Sequence, residues 1–581
     1  MTPLDLDTLQ GLADQAAALH EAVLRGLLQQ RWGRAPVLLP QADRGAALAV
    51  LARWVTVAPL RDDSDRGALL RARGELRRLV EALGGTLEDL LRAALAGGAP
   101  LHPAQVDAQA RAKLALLAPA PCALDFDLGA WAQAEPAWAM LFALQALDSH
   151  ALTAPALAGL RRVLQALPHL PLADLPLVTL PALQRACFLV SYVDSPLRYA
   201  AKRRLVEQAR HILAGHGLLV DCPPPPARGA SRPRLLVIGE GLGAGHAMWR
   251  FYAEPLRELR QHFEVTLLGP AEAAPSVTGD LADAFVPFAQ TDDPVRAWSR
   301  QALDLRPDIV FYPGIGMSFA TWSLSLQRLA PLQVAATATP APSCSPAIDA
   351  TLLFEDLAPP ADLGTIARYD HHVLRPARAD LPPATRPDRS DGLACIGVNA
   401  VAMKLNDGFL SAIEAVLARA PRPCRLRFLP NLAGAELQAM MGLLLQRFPG
   451  AEVLPAMDHP AYLQALAGCD LVLQSFPFGG ANTTNDALDL GIPVVALASE
   501  FLSGQTDLLL LRERGLESLC ARTRDDYVEI ALRLLQDAGE ARRQLAESTA
   551  TSFRGRQGRV SMADAILALW QERSAPKPPA A

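Results

Sequence analysis

The residues best suited to chemistry lie in one stretch near the C-terminal end, where a short apolar strand precedes a loop and a helix. Small, hydroxyl and amide residues occupy the loop-to-helix junction, namely Gly479, Gly480, Asn482, Thr483 and Thr484. Free N–H groups and the positive dipole end at a helix start favour phosphate. One turn further on, the carboxylate of Asp486 could accept hydrogen bonds from a ribose diol. An ordinary βαβ connection with capping Asn and Thr residues fits the same pattern.

This stretch resembles the donor-binding region of glycosyltransferase family 41, which contains protein O-GlcNAc transferases and bacterial cytoplasmic N-glycosyltransferases of high-molecular-weight adhesins. The bacterial branch carries a Phe-Pro-Phe-Gly-x-x-Asn-x-x-x-Asp signature. It stands here without a gap at Phe476, Pro477, Phe478, Gly479, Asn482 and Asp486. The resemblance implies that Asn482 contacts the nucleotide-sugar, with Gly479, Thr483 and Thr484 beside it, and that Asp486 holds the ribose hydroxyls. It covers roughly Ser191 to Trp570.

A glycine-rich loop at residues 239–245 ends at His246, before an amphipathic helix. Its four glycines let the backbone approach a ligand closely, although a flexible turn has the same composition. The family has a His at the start of this helix, facing acceptor and donor, and His246 matches it. The alternative for His246 is a packing role in the core.

Lys404 lies between a predicted strand and a predicted helix. A lysine at this place can direct a point charge at a diphosphate. The family has its phosphate-binding Lys in a matching Lys-Leu-Asn context, here Lys404-Leu405-Asn406. A solvated surface lysine is the alternative.

The resemblance implies three further site residues. His459 lies near a loop where the family carries a donor-proximal His. Asp194 lies where the helical domain of the bacterial branch meets the cleft, so it could orient the acceptor or act as base; a helix or turn cap is the alternative. Thr339 stands where relatives have the His of Gly-His-Pro. It can donate a hydrogen bond but cannot be cationic, which leaves the preferred sugar and acceptor open.

Composition excludes several classes of protein. The 581 residues carry a net charge of −5, which argues against a basic nucleic-acid-binding face. The acidic N-terminus and the lack of a long apolar run predict neither a signal peptide nor a transmembrane helix, and hence a cytoplasmic protein. Eight cysteines scattered singly predict buried free thiols and no metal site.

The hydrophobic pattern changes at four consecutive prolines, residues 223–226. Leu and Ala recur at helical spacing before them, which predicts an all-α domain at 1–222. Apolar strands alternate with helices after them, at 234–239, 262–269, 308–313 and 332–336. We expect two Rossmann-like domains, at 230–385 and 390–573, separated by a hinge near 381–391. The predicted fold class is α/β of the GT-B type, with an all-α N-terminal domain.

The expected function is that of an inverting, metal-independent glycosyltransferase. By resemblance, a UDP-hexose, with glucose as the sugar, serves as co-substrate, and no other cofactor is expected. The acceptor is Asn, or Ser/Thr, of a polypeptide such as an adhesin or autotransporter. No DxD pair occurs in a metal-ligand loop of the α/β part, so Lys404 and the helix start at residues 482–484 should stabilise the leaving group. The alternatives are a same-fold transferase acting on a glycan or small molecule, and a degenerate adhesin-binding protein.

Overall fold

Ten described helices occupy the chain up to residue 215, in agreement with the predicted all-α region. They are α1 (Ala16–Leu28), α2 (Gln41–Val57), α3 (Asp63–Ala82), α4 (Leu87–Ala96), α5 (Ala108–Leu117), α6 (Leu128–Ala134), α7 (Pro136–Leu147), α8 (Ala154–Ala166), α9 (Leu180–Val190) and α10 (Arg198–Gly215). In this computed structural model the described residues are 16–28, 40–148, 152–221, 232–241, 247–274, 279, 281–360, 363–370, 392–537, 539, 542–543, 545–546 and 560–575.

The chain divides into two compact units. One comprises Met1–Arg204, Ala384–Ser475 and Ala531–Asp537, and the other comprises Leu205–Pro383, Phe476–Ile530 and Ala538–Ala581. The division into domains at 1–222, 230–385 and 390–573 stays a prediction.

Side-chain caps fix where several helices begin. The Asp62 carboxylate accepts a hydrogen bond from the N–H of Asp65 at the start of α3, and the Thr86 hydroxyl accepts one from the N–H of Asp89 at the start of α4. Each cap satisfies a backbone donor that has no partner within its helix, which is typically worth about 1 kcal/mol. Local sequence therefore sets these boundaries.

A buried ion pair joins three helices of the first unit. Arg73 of α3 is only 1% exposed, and its guanidinium lies 3.1 Å from the carboxylate of Asp148. The guanidinium also donates to main-chain carbonyls, those of Leu117, Ala118, Gln145 and Asp148. Burial lowers the pKa of Arg73 to about 10, and Asp148 opposes this shift. Arg185 of α9 donates to the same carboxylate at 2.8 Å, so Asp148 compensates several cations at once.

We expect Asp148→Ala to lower the free energy of unfolding of the helical region by about 3 kcal/mol or more, because it leaves the Arg73 charge buried without an anion. The control is Asp63→Ala in α3, whose carboxylate pairs with Arg66 at an exposed site. That change should cost less than about 1 kcal/mol. Urea unfolding followed by far-UV circular dichroism measures both. Equal losses would mean that the carbonyls alone compensate Arg73.

The first sheet contains seven parallel strands in the order β3-β2-β1-β4-β5-β6-β7. They are β1 (Arg234–Ile238), β2 (Glu264–Gly269), β3 (Ala284–Pro287), β4 (Ile309–Tyr312), β5 (Leu332–Ala336), β6 (Ala350–Phe354) and β7 (Thr365–Tyr369). Helices α11 (Ala247–Glu258), α12 (Pro294–Asp304) and α13 (Phe319–Ser325) connect some of them. Alternating strands and helices in a parallel sheet confirm the predicted α/β class.

The four strands predicted in this region are present as β1, β2, β4 and β5, although β2 begins at Glu264, two residues later than predicted. Three strands escaped prediction. β3 and β7 form the edges of the sheet and are mostly half-buried, so their sequences lack a continuous apolar run. β6 is fully buried, and its sequence ATLLF could have been recognised as a strand.

The second α/β region has strands in both units. In the first unit, β8 (Ala394–Val398) pairs in parallel with β9 (Cys424–Phe428) and β11 (Leu471–Leu473), and β9 pairs with β10 (Glu452–Val453). In the second unit, β12 (Val494–Leu497) pairs in parallel with β13 (Cys520–Ala521). The helices are α14 (Asp407–Arg419), α15 (Gly434–Arg447), α16 (His459–Ala467), α17 (Asn482–Asp489), α18 (Leu502–Glu513), α19 (Arg524–Gln536) and α20 (Met562–Ser574).

Some sequence predictions fall outside the described residues or need correction. The polyproline segment at 223–226 and the whole hinge near 381–391 lie outside them. Of the seven described cysteines, four are buried as predicted, but Cys344, Cys424 and Cys520 are half-buried, so the prediction of buried thiols is wrong for these three. Within the described ranges, no helix is long and apolar enough to cross a membrane.

Candidate functional site

The signature segment folds as its sequence predicts, into a loop followed by α17 and then β12. Gly479 and Thr484 are buried, whereas Asn482 and Thr483 are half-buried. Asp486 lies one turn into α17 and is only 4% exposed. The contacts of these residues with a donor stay predictions.

The carboxylate of Asp507, in α18, binds the signature loop. The N–H of Gly480 donates to Oδ2 at 2.7 Å, and the N–H of Ala481 and the hydroxyl of Thr484 donate to Oδ1, each at 2.7 Å. Asp507 is 2% exposed, so these bonds form away from water. The expectation of free N–H groups at this helix start is therefore wrong for Gly480 and Ala481, because the protein supplies the anion itself.

The backbone of the loop is shaped to admit this carboxylate. A Cβ placed on Gly479 would lie 2.0 Å from Oδ2 of Asp507, so only glycine fits there. Gly479 also donates its N–H to the carbonyl of Ser503 at 2.8 Å. Ala481, just before α17, has φ +48° and ψ −94°, which is strained for a residue with a Cβ. Such strain persists only where the surroundings enforce it.

Lys404 ends a short 3-10 turn, Ala402–Lys404, after β8, and its side chain is half-buried. Asn406 donates from Nδ2 to the carbonyl of Lys404 at 3.3 Å and accepts the N–H of Phe409 at 3.0 Å, which caps α14. The asparagine of the Lys-Leu-Asn sequence thus has a structural role, because Asn406 links the turn that contains Lys404 to the start of α14.

His459 is the first residue of α16. Its ring lies 5.7 Å from that of Tyr462, whose hydroxyl accepts a hydrogen bond from Nδ2 of Asn399 at 2.6 Å. This bond joins the start of α16 to the loop after β8, in which Lys404 also lies. Asp194 lies exposed in the turn between α9 and α10, and its role as base stays a prediction.

The order of the first sheet reverses direction between β1 and β4, and ligands of open α/β sheets bind outside the carboxyl ends of strands at such a point. Glu240 follows β1 there, and sequence reasoning missed it within the glycine-rich loop. It is 3% exposed and accepts the N–H groups of Ser318 at 2.8 Å and Met317 at 3.3 Å, in the loop after β4. Burial raises the pKa of Glu240 to about 7, against the effect of these bonds.

Thr339 follows β5, next along the sheet from β4. It is 6% exposed, and its hydroxyl has no hydrogen-bond partner among the described residues. A buried hydroxyl without a partner is rare in folded proteins and is consistent with a group that meets a ligand. The other residue predicted near this edge, His246, lies outside the described residues.

The raised pKa of Glu240 makes stability depend on pH. Between about pH 4.5 and 7 the folded protein keeps a proton that the unfolded chain releases, so stability should fall as pH rises through this window, by about 3 kcal/mol in total. Glu240→Gln should remove this slope. Thermal unfolding of both proteins from pH 4.5 to 8 tests it, with Glu254→Gln on exposed α11 surface as control. If Glu240→Gln keeps the same dependence of stability on pH, then other titratable groups cause that dependence.

The role of Lys404 as the cation for a bound diphosphate stays a prediction. In the part of the chain that the structure describes, no three His, Cys, Asp or Glu side chains are grouped to hold a metal ion. The metal-free mechanism stays a prediction from the sequence.

Sequence comparison gives curated relatives over part of the chain, while no family model matches it. A UDP-glucose:protein N-β-glucosyltransferase of Actinobacillus pleuropneumoniae serotype 5b (strain L20) is 28% identical over 339 residues, which are 55% of this chain and 53% of the relative. Its counterpart in serotype 7 (strain AP76) is 30% identical over 256 residues, 41% of this chain and 40% of the relative. The chain thus spans about half the length of the curated relatives it matches.

A SPINDLY protein of Solanum lycopersicum is 35% identical over 99 residues, 17% of this chain and 10% of the relative. Among solved structures, an O-GlcNAc transferase mutant of Thermobaculum terrenum covers 96% of this chain and 98% of its own, with a TM-score of 0.58 and 20% identity. This likeness confirms the predicted fold, of the GT-B type with a helical N-terminal region. The chain is related to the bacterial protein N-glucosyltransferases and to SPINDLY, and its resemblance to glycosyltransferase family 41 is confirmed.

Proposed function

We propose that this protein is an inverting, metal-independent glycosyltransferase that moves glucose from a UDP-sugar to Asn, or Ser/Thr, of a polypeptide. The observation that carries the proposal is the ungapped signature segment, folded as a loop and helix with Asp486 buried one turn into α17. Similarity to proteins named UDP-glucose:protein N-β-glucosyltransferases supports the donor and the class of acceptor. An adhesin or autotransporter in the cytoplasm is the proposed acceptor.

In this proposal the acceptor nitrogen or oxygen attacks the anomeric carbon while the bond from that carbon to the diphosphate oxygen breaks. The acceptor loses a proton to a base, and UDP leaves with the negative charge. Lys404 stabilises that charge, and a cation in a preorganised site is worth more than one in water. Inversion follows because a single displacement attacks the face opposite the leaving group.

The other predicted residues have proposed roles on the two substrates. Asp486 accepts hydrogen bonds from the ribose diol, and Asn482 and Thr483 contact the nucleotide-sugar beside it. The hydroxyl of Thr339, which no other described residue binds, is consistent with a contact to the sugar. The remaining proposals place His459 near the donor, and His246 and Asp194 on the acceptor side.

Co-expression with a candidate adhesin, followed by intact-mass analysis, tests the function. The acceptor should gain hexose increments only when this protein is present, and peptide mapping should place them on Asn or on Ser/Thr. Binding of the adhesin without any mass increment would favour the degenerate binding protein. Transfer confined to glycans or small molecules would favour the other alternative.

Lys404→Ala should lower the rate of transfer on the order of 100-fold or more, since a lost electrostatic stabiliser typically costs about 2–4 kcal/mol in the transition state. The melting temperature should barely change because the side chain is only half-buried. Arg422→Ala, an exposed cation of the same α/β region, is the control. Near-normal turnover in Lys404→Ala would mean that Lys404 is a solvated surface lysine with no part in the reaction.

Asp486→Ala should weaken UDP binding by about 1.5–3 kcal/mol, roughly 10- to 150-fold, because the ribose loses a charged acceptor. Calorimetric titration measures it in excess chelator, which also tests metal independence. Asp489→Ala is the matched control at the other end of α17, where the carboxylate pairs with Arg514 at 2.7 Å. Unchanged affinity with a lowered melting temperature would leave Asp486 with only a helix-supporting role.

A further inference from the structure

We propose that Asp507 is a positioning residue for the donor: its carboxylate holds residues 479–484 in the shape that presents Asn482 and Asp486, and Gly479 and Thr484 act through it. This inference rests on the proposed function, since it concerns the same donor loop. It assigns Gly479 and Thr484 to the support of the loop rather than to contact with the donor.

The first argument is the density of bonds on one buried side chain. Two backbone N–H groups and one hydroxyl, each at 2.7 Å, converge on the two oxygens of Asp507. Bonds to an ionised acceptor are short and about twice as strong as neutral ones. The carboxylate also lies at the positive end of α17, where a negative charge is favoured. Asp507 therefore occupies the place where an external anion would otherwise bind.

The second argument is that the loop would not take this shape unaided. Ala481 has φ +48°, a conformation that costs on the order of 1–3 kcal/mol for a residue with a Cβ. The bond from its N–H to Asp507 helps to offset that cost. Ser503, at the start of α18, makes two more hydrogen bonds to this segment. Its carbonyl accepts the N–H of Gly479, and its hydroxyl donates to the carbonyl of Pro477 at 3.0 Å.

The third argument concerns which groups remain for the donor. Asp507 takes the N–H groups of Gly480 and Ala481 and the hydroxyl of Thr484. Asn482 and Thr483 are both half-buried, so their side chains are more exposed than that of Thr484. Contacts of this loop with the nucleotide-sugar therefore fall on Asn482, Thr483 and Asp486, whose placement depends on Asp507.

The test measures UDP affinity by calorimetry well below the melting temperature. Asp507→Asn keeps the size of the side chain but sets an N–H donor against the N–H of Gly480, so UDP binding should weaken about tenfold or more. The matched control is Asp489→Asn, which removes a half-buried charge from α17 that pairs with Arg514. The control should lower the melting temperature and leave UDP affinity unchanged. Equal affinities in wild type and folded Asp507→Asn would overturn the inference.

Thr484 provides a second variant in case Asp507→Asn does not fold. Thr484→Val removes one bond to Asp507 without changing the shape of the side chain and should weaken UDP binding, whereas Thr484→Ser should behave like wild type. The double variant Thr484→Val/Asp507→Asn should bind as Asp507→Asn does, because Thr484 acts through the carboxylate. Additive losses, or a Thr484→Val protein with normal affinity, would overturn the inference. If the wild-type protein does not bind UDP, that result would instead contradict the proposed function.

Discussion

The hydrogen bonds to the carboxylate of Asp507 are the interactions on which the signature loop, residues 479–484, depends. Helix starts leave backbone N–H groups without partners, and many nucleotide-binding proteins use them for phosphate. Here two of those groups are satisfied by a side chain from α18. The internal anion explains the glycine at 479, where a Cβ would lie 2.0 Å from Oδ2, and the strained backbone of Ala481.

A second buried carboxylate, that of Glu240, organises the edge of the first sheet in a related way. It accepts two N–H groups from the loop after β4, at the point where the order of strands reverses. At Glu240 burial outweighs the hydrogen bonds from Met317, Ser318 and Thr321 and raises the pKa to about 7. Desolvation and hydrogen bonding thus oppose each other at this carboxylate.

The relatives and the structure support different parts of the functional proposal. Similarity to the protein N-glucosyltransferases covers about half of their length, so the donor and the acceptor of this chain both stay proposals. Thr339 marks a departure from the bacterial branch, and its buried hydroxyl has no hydrogen-bond partner within the described part of the chain. That difference lies where we propose sugar contacts, so the role of Thr339 in the choice of sugar stays a prediction.

The sequence by itself determined the helical region, the central strands β1, β4 and β5, and the loop and helix of the signature segment. These features follow from local periodicity, helix caps and runs of apolar residues, and each of these signals depends only on residues close together in the sequence. It missed the edge strands β3 and β7, whose half-buried sequences carry no such run. It also missed Glu240 and Asp507, because a carboxylate that binds backbone N–H groups distant in the chain leaves no local pattern. Only the tertiary structure decided that the N–H groups of Gly480 and Ala481 before α17 bind Asp507, since that depends on where α18 packs.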